Sequence, residues 1–340
     1  MKKLISYQLV TLLLSLTIAG CAPLSKNSGP PVDCTPPVLN GAAAAGETRL
    51  AFDFSEPVVM DPDSFSSEPL LTVEAAETEE SRLVLTVSPM AVGREYRCRL
   101  TVRDQAGNST WLVTSVYGYN PRVPGVLLNE FITQGSSTHP DLVELKVLTR
   151  GNLGGLTFYH GTPDRFRYRF TFPALEVAAG DFILLHLKPE GLPTEINETA
   201  EKDASGGLDS SPVAYDFWVP DGDGLSGNNG VIVLTVQPGG KVLDAVLYST
   251  RTSESDEQYR GFGSYDLLLQ AETLAAQGAW QIELELVRPE DAVNPDDSTA
   301  TRSICRMPDA PDTNTKDDFH IVPTRGSTFG TQNSVEVYIP

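Results

Sequence analysis

From Tyr96 to Arg103 every second side chain is apolar or a buried-type thiol: Tyr96, Cys98, Leu100 and Val102 alternate with Arg97, Arg99, Thr101 and Arg103. Successive side chains of a strand point to opposite faces, whereas a helix brings together positions three and four apart. This spacing can therefore bury one face only as a strand. The same period joins Leu50, Phe52 and Phe54, with Arg49 and Asp53 opposite, and Leu83, Leu85 and Val87. In the second half it joins Phe166, Tyr168, Phe170 and Phe172, with Arg167, Arg169 and Thr171 opposite. Residues 182–187 and 231–236 are denser apolar runs, as central strands require. About seven such runs between Pro37 and Tyr117 predict a β-sandwich, with Tyr96 as a tyrosine corner. The exception is residues 264–279, where Leu267, Leu268, Leu269, Leu274 and Ala275 predict one short helix.

Lys2 and Lys3, a short apolar run from Leu9 to Ala19, and Ile18-Ala19-Gly20-Cys21 have the form of a secretory signal. A cysteine directly after Ala-Gly resembles the lipobox of bacterial lipoproteins. That resemblance implies that residues 1–20 are removed, that Cys21 receives a diacylglycerol, and that the new amino terminus is acylated. Ala22 in place of aspartate then points to the outer membrane of a Gram-negative-type envelope. Residues 21–33 form the lipidated cysteine and a flexible tether, rich in Ser, Pro, Asn and Gly.

Charge narrows the partners. Asp and Glu number 45 against 25 Lys and Arg, and loss of Lys2 and Lys3 leaves 23 bases, a net −22. A phosphate backbone needs basic groups to displace its counterions, so no nucleic-acid partner is expected. After Cys21, three cysteines remain, Cys34, Cys98 and Cys305, an odd number that leaves at least one thiol over. A Cys34–Cys98 bridge is not expected. Cys98 lies about 17 Å down its strand from the pole where Cys34 enters, and a bridge needs Cα atoms within about 7 Å.

Asp33-Cys34-Thr35-Pro36-Pro37, Phe54-Ser55-Glu56-Pro57-Val58, Gly93-Arg94-Glu95-Tyr96 and the turn Asp104-Gln105-Ala106-Gly107-Asn108 resemble a bacterial Ig-like domain over residues 34–118. Residues 119–125 read as a linker. Leu127-Leu128-Asn129-Glu130-Phe131, Asp141-Leu142-Val143-Glu144-Leu145, the pair Asn229–Leu234 and Val242–Tyr248, and the run from Asp312 to Asn333 resemble the lamin-tail domain. The match covers residues 126–340, with 189–212 and 250–285 as insertions. Arg325 stands where that family usually has proline, and the arginine expected before its Asp-rich turn is Arg302 or Arg306. The expected fold is all-β, with two Ig-like β-sandwich domains in tandem behind a lipidated N-terminal tether.

Chemistry is sparse. The four histidines, His139, His160, His186 and His320, lack metal-ligand spacing, and no nucleophile elbow, P-loop or His-Glu-x-x-His occurs. His186 sits in an apolar strand and reads as structural. Glu130 and Glu144 are expected on neighbouring strands in a hydrogen-bonding role rather than in acid–base work. Two acidic loops are the candidates for Ca²⁺: Asp221 with Asp223, and Asp312 with Asn314. The resulting expectation is a non-catalytic envelope lipoprotein that presents its modules to a protein or glycan partner. The alternative is a secreted metal-dependent hydrolase of nuclease or phosphatase type, for which no separate catalytic domain is in view.

Overall fold

The alternating runs of the first half become two facing sheets. The structure is a computed structural model that describes residues 33–340, so the expected signal peptide, Cys21 and most of the expected tether lie outside it. β1 (Leu39–Gly46), β2 (Arg49–Phe54), β3 (Val59–Met60), β4 (Ser66–Glu68), β5 (Val73–Glu79), β6 (Arg82–Val87), β7 (Glu95–Arg103) and β8 (Ser109–Tyr117) follow in order. One sheet runs β1-β2-β6-β5; in the other, β7 pairs with β8 and with both β3 and β4. Leu50, Phe52, Leu85, Cys98, Leu100 and Val102 fill the space between them. The Ala91 N–H donates to the Tyr96 hydroxyl at 2.9 Å, the backbone bond of a tyrosine corner. Burial pushes the Cys98 thiol up to about 11, which leaves it inert at neutral pH.

The second half begins with β9 (Val126–Phe131), β10 (Leu142–Val147), β11 (Gly151–Asn152), β12 (Thr157–Thr162), β13 (Arg165–Thr171), β14 (Glu176–Val177) and β15 (Phe182–His186). It continues with β16 (Tyr215–Trp218), β17 (Asn229–Thr235), β18 (Val242–Ser249), helix α1 (Tyr265–Ala276), β19 (Ile304–Arg306) and β20 (Phe319–Ile321). A six-stranded sheet, β16-β15-β10-β9-β19-β20, faces a four-stranded one, β13-β12-β17-β18, across a separate apolar core. The fold is thus an all-β sandwich architecture. α1 falls within the predicted window; its N-cap Ser264 accepts the Leu267 N–H, and Leu267, Ala271 and Leu274 are its buried side. No helix among the described residues is long and apolar enough to cross a membrane.

One predicted face is broken. Phe166 was expected beside Tyr168, Phe170 and Phe172, yet it is exposed while those three are buried. The register shifts between His160↔Tyr168 and Gly161↔Phe166, so β13 carries one extra residue. That bulge turns Phe166 to the opposite face, where it meets Tyr159 edge-on and lies beneath Arg169.

Pro36–Pro340 clusters as one compact unit; of the other unit, Met1–Thr35, only residues 33–35 are described. Within the larger unit, residues 118–125 are pinned rather than loose. Asn120 Nδ2 donates to the carbonyls of Asn152 and Gly154 at 2.8 and 2.9 Å, and Arg122 pairs with Glu176. Gly93, at φ +66°, lies so near Gly154 that a Cβ would come within 2.2 Å of its carbonyl carbon.

Candidate functional site

The register of β9 and β10 sets Glu130 directly opposite Glu144. Both carboxylates are fully buried. They point away from the main core, on the side of the sheet crossed by the chain after β20. Glu130 accepts from the Ser303 hydroxyl, from the Thr328 N–H at 2.8 Å and from the Thr328 hydroxyl at 2.6 Å. Glu144 accepts from Asn129 Nδ2 and from the Gly330 N–H, each at 2.5 Å. Burial pushes both carboxyls above the usual range, and the nearby charge of Glu130 raises Glu144 further. Asn129 and Asn333 exchange side-chain bonds at 2.7 and 3.1 Å, although 204 residues separate them.

Asn333 also donates to the Arg306 carbonyl at 2.8 Å, which joins this pair to a second cluster. Arg306, at the end of β19, is almost fully buried. Its Nη2 forks onto Asp244 at 2.9 and 3.1 Å, its Nη1 reaches Asp312 at 2.8 Å and Asp318 at 3.3 Å, and its Nε donates to the Leu128 carbonyl at 2.8 Å. The guanidinium also lies over the Phe319 ring. Burial pushes the Asp244 carboxyl up to about 6, against the downward pull of Arg306 and of the Leu128 and Ala245 N–H groups. β9, β10, β18, β19 and the closing run each supply a member of this hub. Its chemistry is fastening: it ties the closing run to the sheet through charge-assisted bonds.

The sequence anticipated the Glu130–Glu144 neighbourhood but not its partners Asn129, Ser303, Thr328 and Asn333. Polar residues at fixed places within otherwise apolar motifs were the available signal. His186 is buried as expected. It stacks on Trp218 at 3.8 Å and bonds through Nε2 to Asp216 Oδ1 at 2.8 Å. The parallel pairing of β15 with β16 brings these residues together, setting His186 beside Trp218.

The two candidate calcium loops stand apart. Asp221 is exposed, and Asp223 pairs with the Arg167 guanidinium. Their turn is fixed from below by buried Asp141, which accepts the Leu225 N–H at 2.8 Å and pairs with Lys188 at 3.0 Å. Asp312 belongs to the Arg306 cluster and accepts the Asn314 N–H at 3.2 Å, while the Asn314 carbonyl accepts the Gln281 N–H. Among the described residues, neither loop brings three carboxylate, His or Cys ligand atoms into one cluster. Where an ion would supply positive charge, the paired acids already have a guanidinium. We expect calcium or chelator to move the melting temperature of the second sandwich by less than about 1 °C, whereas a site at a hundredfold excess over Kd would add about 2.7 kcal/mol and several degrees. A shift of that size abolished by Asp221→Ala or Asp312→Ala would make that loop a metal site.

Fold and hub together define a β-sandwich protein whose closing run is fastened internally. The chain belongs to the family described as TP_1001 protein second domain, which residues 124–321 match. Over 190 residues it is 26% identical to an uncharacterized protein of Treponema pallidum (strain Nichols), covering 56% of this chain and 48% of that protein. The chain thus spans about half the length of that curated relative. Among solved structures, the N-terminal part of the bacterial S-layer protein SbsC matches with 21% identity and a TM-score of 0.25, over 36% of this chain and 34% of the other. The S-layer protein rSbsC(31-844) matches with 14% identity and a TM-score of 0.24, over 63% and 41%. Likenesses this low carry no argument about what the chain does.

Proposed function

We propose that this chain is a non-catalytic envelope lipoprotein. The Cys21 lipid would hold it to the outer membrane, and an Ig-like and a lamin-tail-like sandwich would present surfaces to a protein or glycan partner. One observation carries the reading: Glu130, Glu144, Asp244, Arg306 and His186, the groups best suited to chemistry, are all buried and bonded to internal partners. Groups used in this way hold a scaffold and are not offered to a substrate in a cleft. The acidic balance of the chain supports a partner other than nucleic acid.

The test is in cells. Metabolic labelling with a fatty-acid analogue is expected to mark the wild-type chain and not Cys21→Ser, which should accumulate as a precursor. Label persisting on the variant would remove the lipoprotein reading. Metal-dependent cleavage of nucleic acid or a phosphoester by the purified chain would replace the binding module with a hydrolase.

A further inference from the structure

On the outer side of the six-stranded sheet, the chain after β20 and the loop before β16 leave a cavity between them of about 580 Å³. That size lies within the roughly 300–1,000 Å³ of small-molecule sites. Its floor is apolar: Leu142 and Leu184, diagonal neighbours on β10 and β15, with Phe329 against them. Val213 stands at its edge, 51% exposed.

The rim is polar and one-sided. His139 is held to Asp209 at 2.9 Å, so that acid is already occupied. Arg325 also lines the cavity and enters no ion pair among the described residues. Its backbone sits at φ +64°, a left-handed conformation that arginine seldom adopts. Such strain persists where the surroundings demand it, often at ligand sites. In a chain of net charge −20, an uncompensated arginine beside an apolar floor is the complement of one kind of molecule.

We propose that this cavity binds a small amphipathic carboxylate, with its apolar body on Leu142, Leu184 and Phe329 and its carboxylate on Arg325. The guanidinium donates bidentately to a carboxylate, which neither a neutral head group nor a purely apolar molecule can exploit. The inference stands apart from lipid anchoring and from any macromolecular partner. Loss of the Cys21 lipid would leave it untouched.

The experiment is calorimetric titration of the purified full chain with decanoate, 1-decanol and acetate. Decanoate should bind saturably at one site per chain, decanol at least tenfold more weakly, and acetate not measurably. Arg325→Gln should lower decanoate affinity about tenfold, to the level of decanol, while Arg325→Lys, which keeps the charge but not the fork, should fall between the two. Val213→Arg, at a half-exposed position, should close the cavity and weaken both long-chain ligands. A far-UV melt of each variant confirms that it folds. The proposal is overturned by failure of decanoate to saturate, or by equal binding to wild type, Arg325→Gln and Val213→Arg, which would mean adventitious adsorption. It is equally overturned if the wild type is a dimer that Val213→Arg dissociates, because the floor would then be covered by a second copy.

Discussion

Arg306→Met will lower the melting temperature of the second sandwich by about 10 °C at pH 8. The side chains are similar in length, so packing changes little. What is lost is the positive charge facing Asp244, Asp312 and Asp318, of which Asp244 and Asp318 are buried. Removing one partner from a buried ion cluster leaves uncompensated charge and costs about 3–5 kcal/mol, and each kcal/mol is worth about 2–4 °C in a domain of this size. The pH dependence identifies the cause. The Asp244 carboxyl already stands at about 6, above its unfolded value near 3.9, and without Arg306 it rises further. A raised carboxyl binds more protons in the folded state, so stability falls as pH rises through that window. The gap between wild type and variant should therefore narrow from pH 8 to pH 5, and Asp244→Asn should recover part of the loss at pH 8. Circular-dichroism melts at both pH values measure this; a gap that does not change with pH would exclude buried charge as the reason.

Glu144→Ala should release the closing run. It strands the Gly330 N–H and one donor of Asn129, both buried, at about 1–3 kcal/mol each. The expected readout is early protease cleavage within residues 323–340 while the first sandwich stays intact. Glu144→Gln separates charge from shape. Burial and Glu130 hold the wild-type carboxyl above the usual range. The folded state therefore binds the extra proton above about pH 4, and this group's contribution favours acid and fades as pH rises. The amide cannot titrate, so the Gln variant should gain on wild type between pH 5 and pH 8. Parallel stability curves for the two would mean that Glu144 is ionised throughout.

Much of this architecture is readable locally. Period-two alternation placed β2, β6 and β7 and the inward faces of each, and the leucine spacing near residue 270 placed α1. Tyr96 was legible as a corner because its strand and its distance from Ala91 are both short-range features. Phe166 was misread because a bulge removes one step of the period, and nothing in Arg165–Arg169 announces it.

The hub required the tertiary structure. Sequence left Arg302 and Arg306 as alternatives for the arginine before the Asp-rich turn. Pairing of β19 with β9 places Arg306 at the Leu128 carbonyl and Asp244, whereas Arg302 lies over Tyr338. Asn129 meets Asn333, and Glu130 meets Thr328, only because the chain after β20 returns across the sheet. For β2, β6 and β7 the sequence by itself determined the strand and its buried side, since that information lies two residues away along the chain. Which polar side chains share a buried site, and which cavity they leave open, was decided by sheet order and the path of the closing run, because those contacts join residues that only the completed fold brings together.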